Sequence, residues 1–418
     1  MSVTVPANMS NTERTVAVVT GARSDYGLMV PLLRAIESDP ILVLRLWVTG
    51  MHFSRQFGSS IEEILTDGFC IAEKIDMLLA SDTPEGVSKS LGVGLLGFGQ
   101  AYARNRPDLL VGLGDRFEVL AAVLAALPFN IPVVHLCGGE TTEGAMDESI
   151  RHAITKLSHL HCVATEPYAR RVIQMGEEPW RVHVTGDPGL DNIETMDVQP
   201  RSEVEKRIGM SLSPPPLLVT FHPVTLEYEQ NGFYIKELLA ALDEIGQPAV
   251  ITYPNADTAG GVIIKEIEAY AVSNSNVRVV RTLGRSSYCS LMRHAAAMVG
   301  NSSSGILEAA SFELPVVDIG NRQKGRLAGG NVIHCDYRRG AIVDSIRKAT
   351  SAGFRSTIQG IRSLYGDGHA SERIVRLLKT TTLDQKLIMK HFYDLEDSSA
   401  LTINGGQNNA TKDYVSKL

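Results

Sequence analysis

Residues 112–161, GLGDRFEVLAAVLAALPFNIPVVHLCGGETTEGAMDESIRHAITKLSHLH, decide the fold. Residues 109–113 and 133–137 are short apolar runs, entered from Pro107 and Pro132 and left through glycines. Such runs are the pattern of strands buried on both faces. Between them, residues 117–127 are apolar nearly all round, which predicts a buried helix. Polar residues collect just past the strand ends. Asp115 and Arg116 follow one strand, Gly138, Gly139 and Glu140 the next, and Asp147, Glu148, Arg151 and His152 open the following helix. In open α/β sheets that carboxyl edge is where ligands bind. Four carboxylates and two arginines on one edge predict a site there.

The same alternation extends outward. Residues 15–20 read as a first strand, followed by the turn Gly21-Ala22-Arg23-Ser24-Asp25-Tyr26 and a helix to residue 36. A glycine turn at a helix start can seat a phosphate, and Arg23 can add a bidentate contact; the turn also has a purely geometric reading. It lacks the G-x-G-x-x-G dinucleotide fingerprint. Strands near 42–48, 71–75, 161–165 and 181–185, with helices between them, predict a doubly wound parallel sheet over residues 14–200. After Ser213-Pro214-Pro215-Pro216, strands at 217–221, 249–253, 277–282, 298–299 and 315–319 predict a second such domain over 201–370. Residues 371–418 read as a C-terminal helix and a loose polar tail. The fold class is therefore α/β, with two Rossmann-like domains facing a cleft.

Composition bounds the function. The 418 residues are 44% hydrophobic and 21% charged, ordinary for a globular chain with more than one core. A formal charge of −7 argues against nucleic acid or an anionic membrane as partner, yet allows a small anion held by local arginines. Five scattered cysteines without a C-x-x-C pair predict neither a disulfide framework nor a metal site. The start of the chain is not a signal peptide, and no run reaches membrane-spanning length, so the expected compartment is the cytoplasm. Ser416-Lys417-Leu418 spells a peroxisomal address, read here as a chance ending.

In the second half, Gly300-Asn301-Ser302-Ser303-Ser304-Gly305 offers three hydroxyls and several N–H groups at one strand end, which suits a pyrophosphate. Glu308 follows within reach of a ribose diol, and Arg322 and Arg326 lie in a basic turn near the same edge. His222, at a strand end beside Pro223, is the histidine with the clearest functional reading. His135, inside an apolar strand, reads as a core histidine with a satisfied ring.

At this point the residues resemble a known family. GARSDYG, VTGMH, LGDR, GGETTEGAMDESIRHAITKLSHLH, FHPVT, PNAD, GNSSSGILE and GNRQKGR look like the hydrolysing UDP-N-acetylglucosamine 2-epimerases of sialic and nonulosonic acid synthesis, in order from residue 16 to 373. The resemblance implies the glycosyltransferase-B fold, a nucleotide-sugar substrate, no cofactor and a homodimer or homotetramer. It assigns acid/base roles to Asp115, Asp147 and Glu148, and catalytic roles to Arg151 and His222. It assigns nucleotide-diphosphate contacts to Arg23, Arg116, Asn255, Ser302, Ser303, Glu308 and Arg322. Some members carry a carboxylate immediately before the Gly-Gly, where this chain has Cys137, so Glu140 or Asp115 is expected to carry more of the proton transfer. The implied reaction eliminates UDP to a 2-acetamidoglucal and adds water to give N-acetylmannosamine. UDP-2,4-diacetamido-trideoxyglucose and GDP-N-acetylglucosamine would use the same machinery. A non-hydrolysing epimerase, a glycosyltransferase and a non-catalytic binding protein are the rival readings.

Overall fold

The computed structural model describes residues 13–54, 60–79, 81, 83–143, 145–191, 193, 199–254, 260–281 and 283–395. Asn255 and Ser416–Leu418 lie outside them.

Two parallel sheets dominate. The first has strands β1 (Arg14–Thr20), β2 (Leu42–Thr49), β3 (Ile71–Ile75), β4 (Leu109–Leu113), β5 (Val133–Leu136), β6 (Leu160–Val163) and β7 (Val182–Val184). Their order is β3-β2-β1-β4-β5-β6-β7. The second has β8 (Leu217–Thr220), β9 (Ala249–Thr252), β10 (Val277–Val280), β11 (Ala297–Gly300), β12 (Val316–Ile319) and β13 (Val332–Cys335), in the order β10-β9-β8-β11-β12-β13. In both, the order reverses beside the first strand of the sheet. That switch point opens a crevice at the carboxyl ends.

The apolar runs become strands because both faces are covered. Along β1, Val16 and Val18 enter one core cluster while Ala17 and Val19 enter the opposite one. Leu217 and Val219 of β8 likewise face away from Leu218. This two-residue period buries every side chain of β4, β5 and β8. Gly300 ends β11 with φ +138°, where a Cβ would stand 1.9 Å from the Thr220 carbonyl oxygen. Only glycine lets β11 end this close to β8.

Helix Ser303–Leu307 is short and continues as a 3₁₀ turn, Ala309–Phe312. The edge strand β13 was not foreseen, because its side chains are only partly covered and give no apolar run.

The C-terminal segment returns to the first sheet. Ile374 and Leu378, of helix Ala370–Thr380, share a core with Met29 and Leu33. Arg181 donates to the carbonyls of Lys386, Leu387 and Met389. The outgoing residues 185–191 and the returning residues 365–371 run side by side. The Asp187 N–H donates to the Tyr365 carbonyl at 2.8 Å, and the Asp191 carboxylate accepts from the N–H groups of Ala370 and Ser371. Among the described residues no helix is long and apolar enough to cross a membrane.

Candidate active site

The carboxyl edges of the two sheets face each other across one cleft. Its lining brings together Arg23, Asp115, Arg116, Glu140, Asp147, Arg151, His222, Ser302, Ser303, Ser304, Glu308 and Arg322, from positions as much as 299 residues apart.

One wall is built from the first sheet. Asp115 follows β4, and Asp147 and Arg151 lie on one face of helix Asp147–Leu157. Arg151 is fully buried; its guanidinium donates to Asp115 and, at 2.8 Å, to Thr142 Oγ1. Glu140 is buried, with Oε2 2.8 Å from Arg326 and Oε1 without a partner among the described residues. Burial pushes its carboxyl up to about 7, against the pull of Arg326. The loop that delivers it is constrained. Cys137 sits at φ +59° and Gly139 at φ +75°, and a Cβ on Gly139 would lie 2.6 Å from the Tyr168 carbonyl oxygen.

Glu148 does not reach this wall. Its carboxylate turns back to accept from the Thr142 N–H at 2.5 Å and to meet His152 at 3.1 Å, with Arg151 at 3.5 Å. Burial opposes its charge, yet those bonds keep its pKa below the usual range. Glu148, given an acid/base role by the resemblance, is not among the residues that line the cleft. It braces the loop at Thr142 and the Arg151 guanidinium.

The opposite wall is built from the second sheet. Asn301 locks the end of β8 to that of β11: its Oδ1 accepts from the His222 N–H at 2.6 Å and its Nδ2 donates to the His222 carbonyl at 2.9 Å. The His222 ring is thereby held in the cleft. Burial, followed by Arg322, Arg116 and Arg23, drives its pKa well below the ordinary value, which favours the neutral ring. Ser302 caps the short helix Ser303–Leu307, leaving the Ser303 and Ser304 hydroxyls on the lining. Arg322 reaches across the cleft to Asp147 at 3.3 Å, and Arg326 to Glu140. Glu308 is buried and held by Arg285 at 3.1 Å. From the first-sheet side, Arg116 after β4 is buried against Glu118, whereas Nη1 of Arg23, after β1, lies buried without a partner among the described residues. The buried Arg23 Nη1 offers a charged donor to an anionic ligand in the cleft.

Asp187 and Arg285 also line the cleft and were not singled out in the sequence. Both follow strand ends, β7 and β10, so the carboxyl-edge rule applied to every strand would have found them. Cys137, Glu140 and Asp187 hold ligand atoms within 4.8 Å of one another. The Arg326 guanidinium bonded to Glu140 already supplies the positive charge there. His135 is a core histidine, bonded to Thr155 and the Gly114 carbonyl.

The sequence model of the family described as UDP-N-acetylglucosamine 2-epimerase matches residues 34–379. The chain belongs to the UDP-N-acetylglucosamine 2-epimerase family. Within it, the chain is 38% identical over 377 residues to the hydrolysing UDP-N,N'-diacetylbacillosamine 2-epimerase of Legionella pneumophila, covering 90% of this chain and 98% of that protein. It is also 38% identical to a hydrolysing GDP/UDP-N,N'-diacetylbacillosamine 2-epimerase of Campylobacter jejuni, over 92% of this chain and 100% of that one. The fold superposes on the crystal structure of Neisseria meningitidis UDP-GlcNAc 2-epimerase bound to UDP-GlcNAc. The TM-score is 0.76 at 20% identity, over 88% of this chain and 100% of that chain. The two-domain arrangement is that of the glycosyltransferase-B fold.

Proposed function

We propose that this epimerase-family chain is a hydrolysing 2-epimerase of a UDP-linked 2-acetamido sugar, with UDP-N-acetylglucosamine as substrate and N-acetylmannosamine and UDP as products. One observation carries the reading. A wall of arginines and serines suited to a diphosphate faces a wall of carboxylates across a single cleft.

The chemistry needs both walls. A C2–H bond loses its proton only as C1 becomes electron-poor, so departure of the diphosphate must be assisted. Arg23, Arg322 and the Ser302–Ser304 hydroxyls stabilise the charge growing on it. Asp115, ionised beside Arg151, takes the C2 proton. The C–H electron pair forms the C1–C2 double bond while the C1–O pair leaves with UDP. Water then adds through oxygen to C1, and a proton from Glu140 or Asp147 reaches the opposite face of C2. Diphosphate entering among Arg23 and Arg322 offsets the arginines' share of the depression and makes His222 more basic, fitting it to manage the proton of water.

A second reading changes only the sugar. The Legionella and Campylobacter relatives are named for N,N'-diacetylbacillosamine, which favours UDP-N,N'-diacetylbacillosamine as the substrate with the higher kcat/KM. Assay of both nucleotide sugars separates the two. In deuterium oxide, the expected product is a free manno-configured sugar carrying deuterium at C2, with UDP in equal amount. Protium retained at C2 would exclude elimination and hydration. Return of a UDP-sugar would indicate a non-hydrolysing epimerase.

A further inference from the structure

We propose that Asp187 is a positioning residue that shares one proton with Glu140 and so keeps Glu140 able to act as the acid toward C2; this rests on the 2-epimerase reading above. Asp187 comes from the turn after β7 and Glu140 from the loop after β5, yet both are buried in the same cleft wall. One carboxylate oxygen of each and the Cys137 sulfur lie within 4.8 Å of one another.

Burial works against two anions in this wall, and the cations that oppose it are shared. Arg326 bonds Glu140, with Arg171 adding less; on Asp187 it is Arg285, already bonded to Glu308, and then Arg326 that act. Against these stand the two carboxylates themselves and Glu308, which already has Arg285. Cys137, Tyr168 and Tyr365 complete the surroundings, and burial pushes all three toward their neutral forms. Glu140 Oε1 accepts nothing from the described residues, so no bond there requires it to be charged. Two carboxylates in such a site cannot both ionise cheaply, and one stays protonated. The directions agree: burial raises Glu140 to about 7 and Asp187 to about 6.

Asp187 has an ordinary role as well, since its Oδ1 accepts from the Gly189 N–H at 2.7 Å and caps a 3₁₀ turn. The test must therefore remove the charge and keep the cap. Asp187→Asn does this, because the amide oxygen can still accept from Gly189. Glu140 is followed without substrate, through the pH titration of the carboxylic-acid infrared band that Glu140→Gln abolishes. In Asp187→Asn that titration, and with it the alkaline limb of kcat/KM for UDP release, should fall by about one pH unit or more. KM should stay within about threefold, and Asp187→Glu should restore the limb. In the reciprocal variant, Glu140→Gln, the band of Asp187 should titrate lower, so the proposal remains testable if Asp187→Asn folds poorly. Titrations that superimpose on wild type in both variants overturn it. A wild-type protein that releases no UDP would sink the epimerase reading instead, and the infrared titration would still decide the pairing.

Discussion

Replacing Arg151 with methionine tests how the catalytic wall is held. Methionine keeps the buried stem and removes the guanidinium, which donates to Asp115 and Thr142 and faces Glu148 at 3.5 Å. A charged hydrogen bond contributes about 1.5–3 kcal/mol and a bond to a hydroxyl about 1 kcal/mol, while the 3.5 Å contact adds little. Two effects reduce the loss. Asp115 and Glu148 keep 19% and 25% of their side-chain surface exposed, so water can resolvate them. Removing Arg151 also relieves its repulsion with Arg326 and Arg322. The expected destabilisation is about 2–3 kcal/mol at pH 7, below the ~3–5 kcal/mol of a fully buried broken pair. Urea denaturation reads it as a lower midpoint at unchanged slope. Adding Asp115→Asn to Arg151→Met should cost little more, because the carboxylate has already lost its partner. A single-mutant loss below about 0.5 kcal/mol, or a double-mutant cycle with no coupling between 115 and 151, refutes the reasoning.

Other perturbations probe other parts of the molecule. Ser302→Ala combined with Ser303→Ala should weaken UDP binding by about 1–3 kcal/mol in calorimetry, and unchanged affinity would place the diphosphate elsewhere. His222→Ala should cut turnover by about a hundredfold or more with folding intact; a loss of only a few-fold removes the ring from proton transfer. Gly139→Ala should abolish activity and lower the melting temperature, since the new Cβ meets the Tyr168 carbonyl at a positive φ; a wild-type melting curve would contradict this. Burial disfavours the Glu177 charge, but His161, Lys156 and Lys390 together hold its carboxyl down to about 2. Its depressed pKa gives stability that is present above about 4.5 and lost as pH falls toward 2. Glu177→Gln should therefore cost most at neutral pH and progressively less in acid, and a pH-independent difference would count against the linkage.

Much of this was legible in the sequence because parallel sheets print themselves as short apolar runs. β4 and β5 needed nothing beyond Leu109–Leu113 and the run from Val133. The polar residues past those ends, Asp115, Glu140 and Asp147, landed on one wall because chain geometry puts every carboxyl end on the same edge. What stayed hidden depends on direction rather than position. Glu148 and Asp147 are adjacent in sequence, and a helix turns neighbours about 100° apart, so only one faces the cleft. Asp187 looked like any turn aspartate until its distance to Glu140 was known. β13 is half-covered and carries too little apolar pattern to announce itself.

The two stitched passages between the sheets have a mechanical consequence. A single linking strand would let the halves twist and slide as well as open. Here residues 185–191 and 365–371 are joined by the Asp187–Tyr365 backbone bond and by Asp191 gripping two N–H groups of the returning strand. Like the two leaves of a hinge, they resist twist and shear and leave one easy motion, a swing about their common line. Asp187 lies on that line, where displacement is smallest. The pair Arg326–Glu140 stands beside it and moves little, whereas Arg322–Asp147, which joins the two walls, would part when the cleft opens, exchanging its carboxylate for water as product leaves.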